Sequence, residues 1–364
     1  MCPDSEDSVL RWLNMLNNLI DVLKRVGKPT ELYKSPDGSN VLVLPYGGRV
    51  LGLFAPHREE NFFWTHPALA SVESARAFYE SGVWHNSGGD RTWLSPEADL
   101  FFPDFPDLTR YWQQRELDPG NYQVVHEADK FVLVNRLTVL LSRSKLTAEL
   151  EISKSLSPAL NPLRYETFLK DMAGVEYAGY TLHTSLKFRG AKNEDSTQVG
   201  LWDLLQMPHG GDLLVPTYSR TQPKILMGVV GPEDLIVGEH LVQYKMRAAG
   251  EHKIGIRAFA TTGRVGYLYS KGKESVLVVR NFLVNPSGEY VDVPWRETTD
   301  FGYCVQACNV DSALGSFSEL EYHVPAIGKG TGRNRSDDVS QVWAFRGIPA
   351  RIQGVARALL SPRV

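Results

Sequence analysis

Cysteine is scarce in this 364-residue chain: Cys2, Cys304 and Cys308 are the whole set. Three thiols make no disulfide framework, and a four-residue spacing along a strand keeps Cys304 and Cys308 too far apart to bridge. They are expected as buried, inert side chains. No run approaches the ~20 apolar residues of a membrane span. The opening "MCPDSEDSVLRWLNML" is acidic where a secretory signal is basic. The expectation is a cytoplasmic protein with no membrane partner. A formal net charge of −3 and the lack of a basic stripe exclude a nucleic-acid footprint. No serine sits in a nucleophile elbow. His57 and His66 lie near Glu59 and Glu60 without metal-ligand spacing. The glycines of "GKGTGRNRSDD" (328–338) lack the strand-to-helix setting of a phosphate loop and read as a mobile loop. Neither a metal nor a cofactor is therefore expected.

What remains is an ordinary globular composition, 43% hydrophobic and 22% charged, able to bury a sizeable core. Residues 8–26 carry Val9, Trp12, Leu13, Leu16, Leu19, Ile20 and Leu23 at helical spacing, with Ser5 or Asp7 to cap the start and Gly27 and Pro29 to stop it. After Pro29 short strand-like runs follow one another, broken by Gly, Pro, Asp and Asn. "TAELEISKSL" alternates as a half-solvated antiparallel strand should. Two further helices fit 71–82 and "IPARIQGVARALL", whose Ile352, Val355 and Leu359 share a stripe. No internal repeat or low-complexity linker divides the chain. The pattern predicts an all-β antiparallel sandwich with flanking N- and C-terminal helices: a helix in 1–30 packed on one domain spanning 31–364.

Chemistry-bearing residues fall in four places. In "SFSELEYHVPAI" (316–327), Glu319, Glu321 and His323 alternate with Leu320, Tyr322 and Val324, so the acids and the imidazole share one sheet face. In "WHNSGGDRTWLSPEADLFFPDFPD", paired glycines precede Asp90, Arg91 and Trp93. An aromatic ring beside planar charged groups suits a sugar, and the Asp–Arg pair would serve equally as a structural ion pair. "GLWDLLQMPHGGD" offers Trp202, Gln206 and His209 near a strand end, and His183 alternates with Thr181 and Ser185. Either histidine suits proton donation near neutral pH, and either is also explained as a polar surface side chain.

The segments "VLPYGGRVLGLFAPHREENFFWTHPAL", "GGDRTWLSPE" and "SELEYHVPA" resemble the galactose-mutarotase-like superfamily, in its divergent aldose-epimerase-like branches. The resemblance runs from about Asn40 to Leu360. It implies a β-supersandwich whose concave sheet holds a mono- or oligosaccharide. It also implies catalysis of anomer interconversion without a cofactor, with Glu321 as general base beside Glu319. Sugar contacts carry over to Arg91 and to Arg49 of "GGRV", with Asp292 of "EYVDVPW" as a loose counterpart of a late aspartate. The family's Asn-His-aromatic run is missing, and "LWDLLQMPHGG" occupies its place, which makes His209 the substitute acid. Alternatives are a lyase or hydrolase acting on an oligosaccharide, in which Glu319 and Glu321 point the same way and do not straddle a bond, and a non-catalytic sugar-binding protein.

Overall fold

A computed structural model describes residues 15–127, 130–166, 172–190, 196–297 and 299–364. Two antiparallel sheets form the molecule. The first runs β1 (Glu31–Lys34), β2 (Asn40–Leu44), β3 (Arg49–Phe54), β4 (Asp90–Ser95), β9 (Gln198–Pro208), β18 (Gly315–His323), β17 (Val305–Ser312), β14 (Gly250–Ile256) and β11 (Lys224–Met227), with β19 (Ile327–Gly328) paired to β9. The second runs β12 (Leu235–Val237), β13 (Leu241–Lys245), β10 (Asp212–Pro216), β15 (Arg264–Lys271), β16 (Glu274–Phe282), β20 (Arg335–Gly347), β8 (Glu176–Phe188), β7 (Leu146–Pro158), β6 (Lys130–Leu141) and β5 (Gln123–Glu127). The protein is an all-β sandwich, as the alternating runs predict. Part of the glycine-rich stretch expected as a loop is strand: β20 starts at Arg335 because Asp338 and Ser340 turn into the interior.

The facing sides of the two sheets share one core, including Val41, Leu53, Leu94, Leu205 and Leu320 from the first and Leu137, Leu150, Tyr180, Val278 and Val342 from the second. Strands such as β9 are buried on both faces, so they read as near-continuous apolar runs. Helix α1 (Leu16–Arg25) lays Leu16, Leu19 and Leu23 on Leu42, Leu44, Leu51 and Phe54, the outer side of β2 and β3. Gly27 at φ 72° ends it, a backbone position that glycine takes without a Cβ clash. The expected first turn with Val9, Trp12 and Leu13 lies outside the described residues. Helix α2 (Val72–Glu80), capped by Ser71, packs beside α1. After a short α3 (Glu97–Leu100) the chain ends in α4 (Pro349–Leu359), which covers the second sheet with Ile352, Val355 and Leu359 against Leu277, Val279 and Phe345. Each such buried side chain stabilises by about 1.5–3 kcal/mol, so an Asp at Val355 would undock the helix.

Candidate functional site

The register of the first sheet sets its outer face in rows. Glu319 lies beside Gln206 on β9 and Cys308 on β17, and Cys308 beside Lys253 on β14. The next row holds Arg91, Leu204, Glu321 and Gln306, and the one after it Trp93, Trp202 and His323. On the other side of the Glu319 row lie Phe317, Val310 and Glu251. Over these rows opens a cleft of about 710 Å³ lined by Arg91, Trp93, Trp202, Lys253, Cys308 and Glu319. Residues of the connecting segments raise its walls: His66, Phe78 of α2, Trp84 and Asn86 from one, Glu97 of α3, Phe102, Tyr111 and Trp295 from others. A larger groove of about 1100 Å³ lies elsewhere, among loop residues around 286–302, and its Arg257 is already paired with Asp300.

Five charged groups organise the floor. Arg91 Nη2 binds Glu319 Oε1 at 2.8 Å, and Gln206 Nε2 donates to the same oxygen at 2.9 Å. The Arg91 guanidinium lies 4.1 Å from the centroid of Trp93 and 5.3 Å from that of Trp84. Lys253 Nζ sits 3.2 Å from Glu321 Oε2 and 3.4 Å from Glu97 Oε2, over the Trp202 ring at 4.4 Å. Trp202 Nε1 donates to Glu321 Oε2 at 2.8 Å, and Tyr111 and Trp295 donate to Glu97 at 2.9 and 3.0 Å. Three carboxylates thus share two cations, and a proton on one of them brings the cluster to neutrality. Burial, reinforced by Glu319 and Glu97 against the pull of Lys253, pushes Glu321 up to about 8. Burial acts to lower the Lys253 ammonium, but Glu321, Glu97 and Asp292 outweigh it and hold it above its ordinary value. The raised Glu321 carboxyl is where this proton is held, beside the Lys253 ammonium.

Beneath this floor His323 stacks on Trp202, centroids 5.3 Å apart, and burial with the nearby Lys253 charge keeps its imidazole neutral. Asp292 accepts from the Glu97 backbone N–H and from Gln306 Nε2, both at 2.6 Å, and lies 3.8 Å from His323 Nε2. Burial raises its carboxyl. One sulfur and two carboxylates, Cys308, Glu319 and Glu321, bring ligand atoms within 4.8 Å of one another. Arg91 already neutralises Glu319, the raised Glu321 lies beside the Lys253 ammonium, and burial with the two glutamates pushes the Cys308 thiol far above its usual range, so the group is a poor cation site.

Of the residues singled out in the sequence, Arg91, Trp93, Trp202 and Glu319 line the cleft, and Gln206 and Glu321 lie in its floor with no exposed surface. Arg49 and Asp292 stand one layer behind. Arg49 binds Asp118 Oδ2 at 2.9 Å, and that oxygen also accepts from Trp84 and Trp93 Nε1 at 3.0 and 2.9 Å, so Arg49 positions two walls rather than touching a ligand. Asp90 corrects the expectation of a sugar contact. It follows the opposite phase of β4 from Arg91 and points between the sheets, where Arg280 holds both its oxygens at 2.7 and 2.8 Å and Tyr180 donates at 2.6 Å. The histidines also lie elsewhere. His183 is exposed on the second sheet, bonded to Ser157, and His209 turns past the end of β9 to Asn309. Sequence reasoning missed Lys253, which has no telling neighbour in "EHKIGIRAFA", and Glu97, although its loop was marked.

Fold and cleft together define a class: a two-sheet antiparallel sandwich with an acid/base cluster on the outer face of one sheet. Over residues 15–364 the chain matches the model of a family of unknown function, DUF6786, and it belongs to that family. Among curated proteins none matches it. Among solved structures, it is similar to a galactose mutarotase related enzyme from Lactobacillus acidophilus (10% identity, TM-score 0.41, covering 87% of this chain and 97% of that one). It is also similar to a galactose 1-epimerase from Lactobacillus acidophilus NCFM (10% identity, TM-score 0.39, 87% and 94%). A third is a 4-alpha-glucanotransferase from Thermococcus litoralis (8% identity, TM-score 0.36), where the likeness covers 90% of this chain and 41% of that one.

Proposed function

We propose that the cleft binds a saccharide and that the protein is a carbohydrate-active enzyme of aldose 1-epimerase type. One observation carries the reading: two carboxylates side by side on β18 in unlike environments. Glu319 is open to the cleft and held as an acceptor by Arg91 and Gln206, while Glu321 is sealed in the floor between Lys253 and Trp202, where burial raises its carboxyl. The aromatic walls suit the C–H faces of a pyranose, and the charged floor suits its hydroxyls. The sequence resemblance carried by "SELEYHVPA" points the same way.

In this reading Glu319 takes the proton of the anomeric hydroxyl. Lys253 gives a proton to the ring oxygen and is resupplied by the Glu321 carboxyl 3.2 Å away. The bond from the anomeric carbon to the ring oxygen breaks, an open-chain aldehyde forms, and rotation about the adjacent carbon–carbon bond lets the reverse steps close either anomer. Protons balance, and nothing is oxidised. Glu321, read from the resemblance as the base, becomes the proton store, because burial lifts it above neutral pH. Non-catalytic saccharide binding is the second reading. It is favoured by the absence of exposed surface on Glu321 and by a cleft lining that includes neither His183 nor His209.

Exchange NMR on glucose, galactose, mannose, xylose and arabinose separates the two. The expected result is anomer exchange faster than in buffer for at least one sugar, reduced roughly 10²–10⁴-fold in Glu319→Gln. Binding with no acceleration on any sugar leaves the second reading. No binding of any saccharide removes both.

A further inference from the structure

We infer that the natural ligand is a reducing disaccharide or longer saccharide, whose reacting ring lies over Glu319 and Lys253 and whose next unit lies over Phe317. The inference rests on the saccharide reading above and names its substrate class. Most charged side chains gather in the rows of Glu319 and Glu321, yet the cleft continues past them to the Phe317 row, where Glu251 accepts from Ser312 Oγ at 2.7 Å, and to the tip of the β17–β18 hairpin. Two residues of strand span about 7 Å, roughly the length of one pyranose. The cleft's volume of about 710 Å³ is several times that of a single ring.

The outer half is built for a hydroxylated unit rather than a bare apolar tail. Phe317, 2% exposed, forms its floor, with Val310 beside it and Leu314 at the hairpin tip. Two hydrogen-bond donors line the same cleft. Asn86 is 3% exposed; its Oδ1 is taken by Arg49, and its Nδ2 has no partner among the described residues. His66 accepts the Ala68 backbone N–H at Nδ1 and is kept neutral by burial, which leaves the proton on Nε2. An apolar floor and hydrogen-bond donors lining one cleft offer what a second sugar ring requires: contact for its C–H groups and partners for its hydroxyl oxygens. Leu314, 48% exposed at the hairpin tip, is the apolar side chain that a unit bound in this half would cover.

Calorimetric titration with maltose, cellobiose, lactose and laminaribiose against glucose and galactose tests the inference. At least one disaccharide is expected to bind ten-fold or more tightly than its own reducing-end monosaccharide. Leu314→Asp, at an exposed position that folding tolerates, is expected to cut that ratio at least five-fold, and His66→Gln to cut it further. Monosaccharides that bind and exchange anomers while every disaccharide binds no better would overturn this inference and leave the epimerase reading standing. So would phenyl glycosides that bind more tightly than every disaccharide. If no saccharide binds, the parent reading falls and this one with it.

Discussion

Glu321 makes the stability of the protein depend on pH in a direction opposite to most carboxylates. Its carboxyl moves from an ordinary 4.5 to about 8 on folding. A raised folded-state value means the native protein holds a proton that the unfolded chain releases. The stabilisation is therefore complete below 4.5 and is lost as pH rises through 8. Between pH 5 and pH 9 this single group removes about 4 kcal/mol, taking 1.36 kcal/mol for each pH unit over which only the folded form is protonated. Glu321→Gln keeps the shape and an oxygen for Trp202 Nε1 but has no proton to lose. Urea unfolding of both proteins at pH 5, 6, 7, 8 and 9 reads the effect as a difference of two curves. Asp292, Asp203 and Asp338, also raised by burial, contribute to both and cancel. The variant should lose less stability than the wild type as pH rises, with the gap closing by several kcal/mol. Parallel curves would mean that Glu321 is ionised throughout beside Lys253, and the assignment of the stored proton would fail.

Two further substitutions probe what supports the cleft. Asp90→Asn leaves the fully buried Arg280 without its counter-charge, and a broken buried pair of this kind costs about 3–5 kcal/mol; the urea midpoint should fall accordingly, whereas an unchanged midpoint would show that Tyr180 and Ser340 suffice. Asp118→Ala frees two indole N–H groups and Arg49 at once, so Trp84 and Trp93 should change their fluorescence and saccharide affinity should drop at least ten-fold, with unaltered spectra counting against the anchoring role.

Local periodicity made much of the fold and half of the cleft legible. A period of two was enough to put Glu319, Glu321 and His323 on one face, and in the structure they share it. Applied to "DRTW", the same rule separates Asp90 from Arg91 and Trp93, and the two charged side chains meet different sheets. Which of nine histidines approaches the acids could not be read, because that depends on strand order. β18 pairs on one side with β9, more than a hundred residues away in sequence, and no local pattern reports such a neighbour. His183 and His209 look as polar in the sequence as His66, yet their strands turn them elsewhere.

The opposite phases of β4, β9 and β18 carry two separate polar systems through one sheet. Asp90, Thr92, Asp203 and Tyr322 face inward, where Arg280 and Asp338 on the second sheet pair with them in the core. Arg91, Trp202, Glu319 and Glu321 face outward into the cleft. The inner system fixes register between the sheets, since sliding either strand by one residue would bury Arg91 and Glu319 against the apolar core and expose Leu205 and Leu320. Rigid register is what an acid/base cluster needs: Lys253 reaches Glu321 and Glu97 together only while β14, β17 and β18 hold their rows. The inward charges, costly as they are to bury, therefore stand behind the geometry of the outward ones.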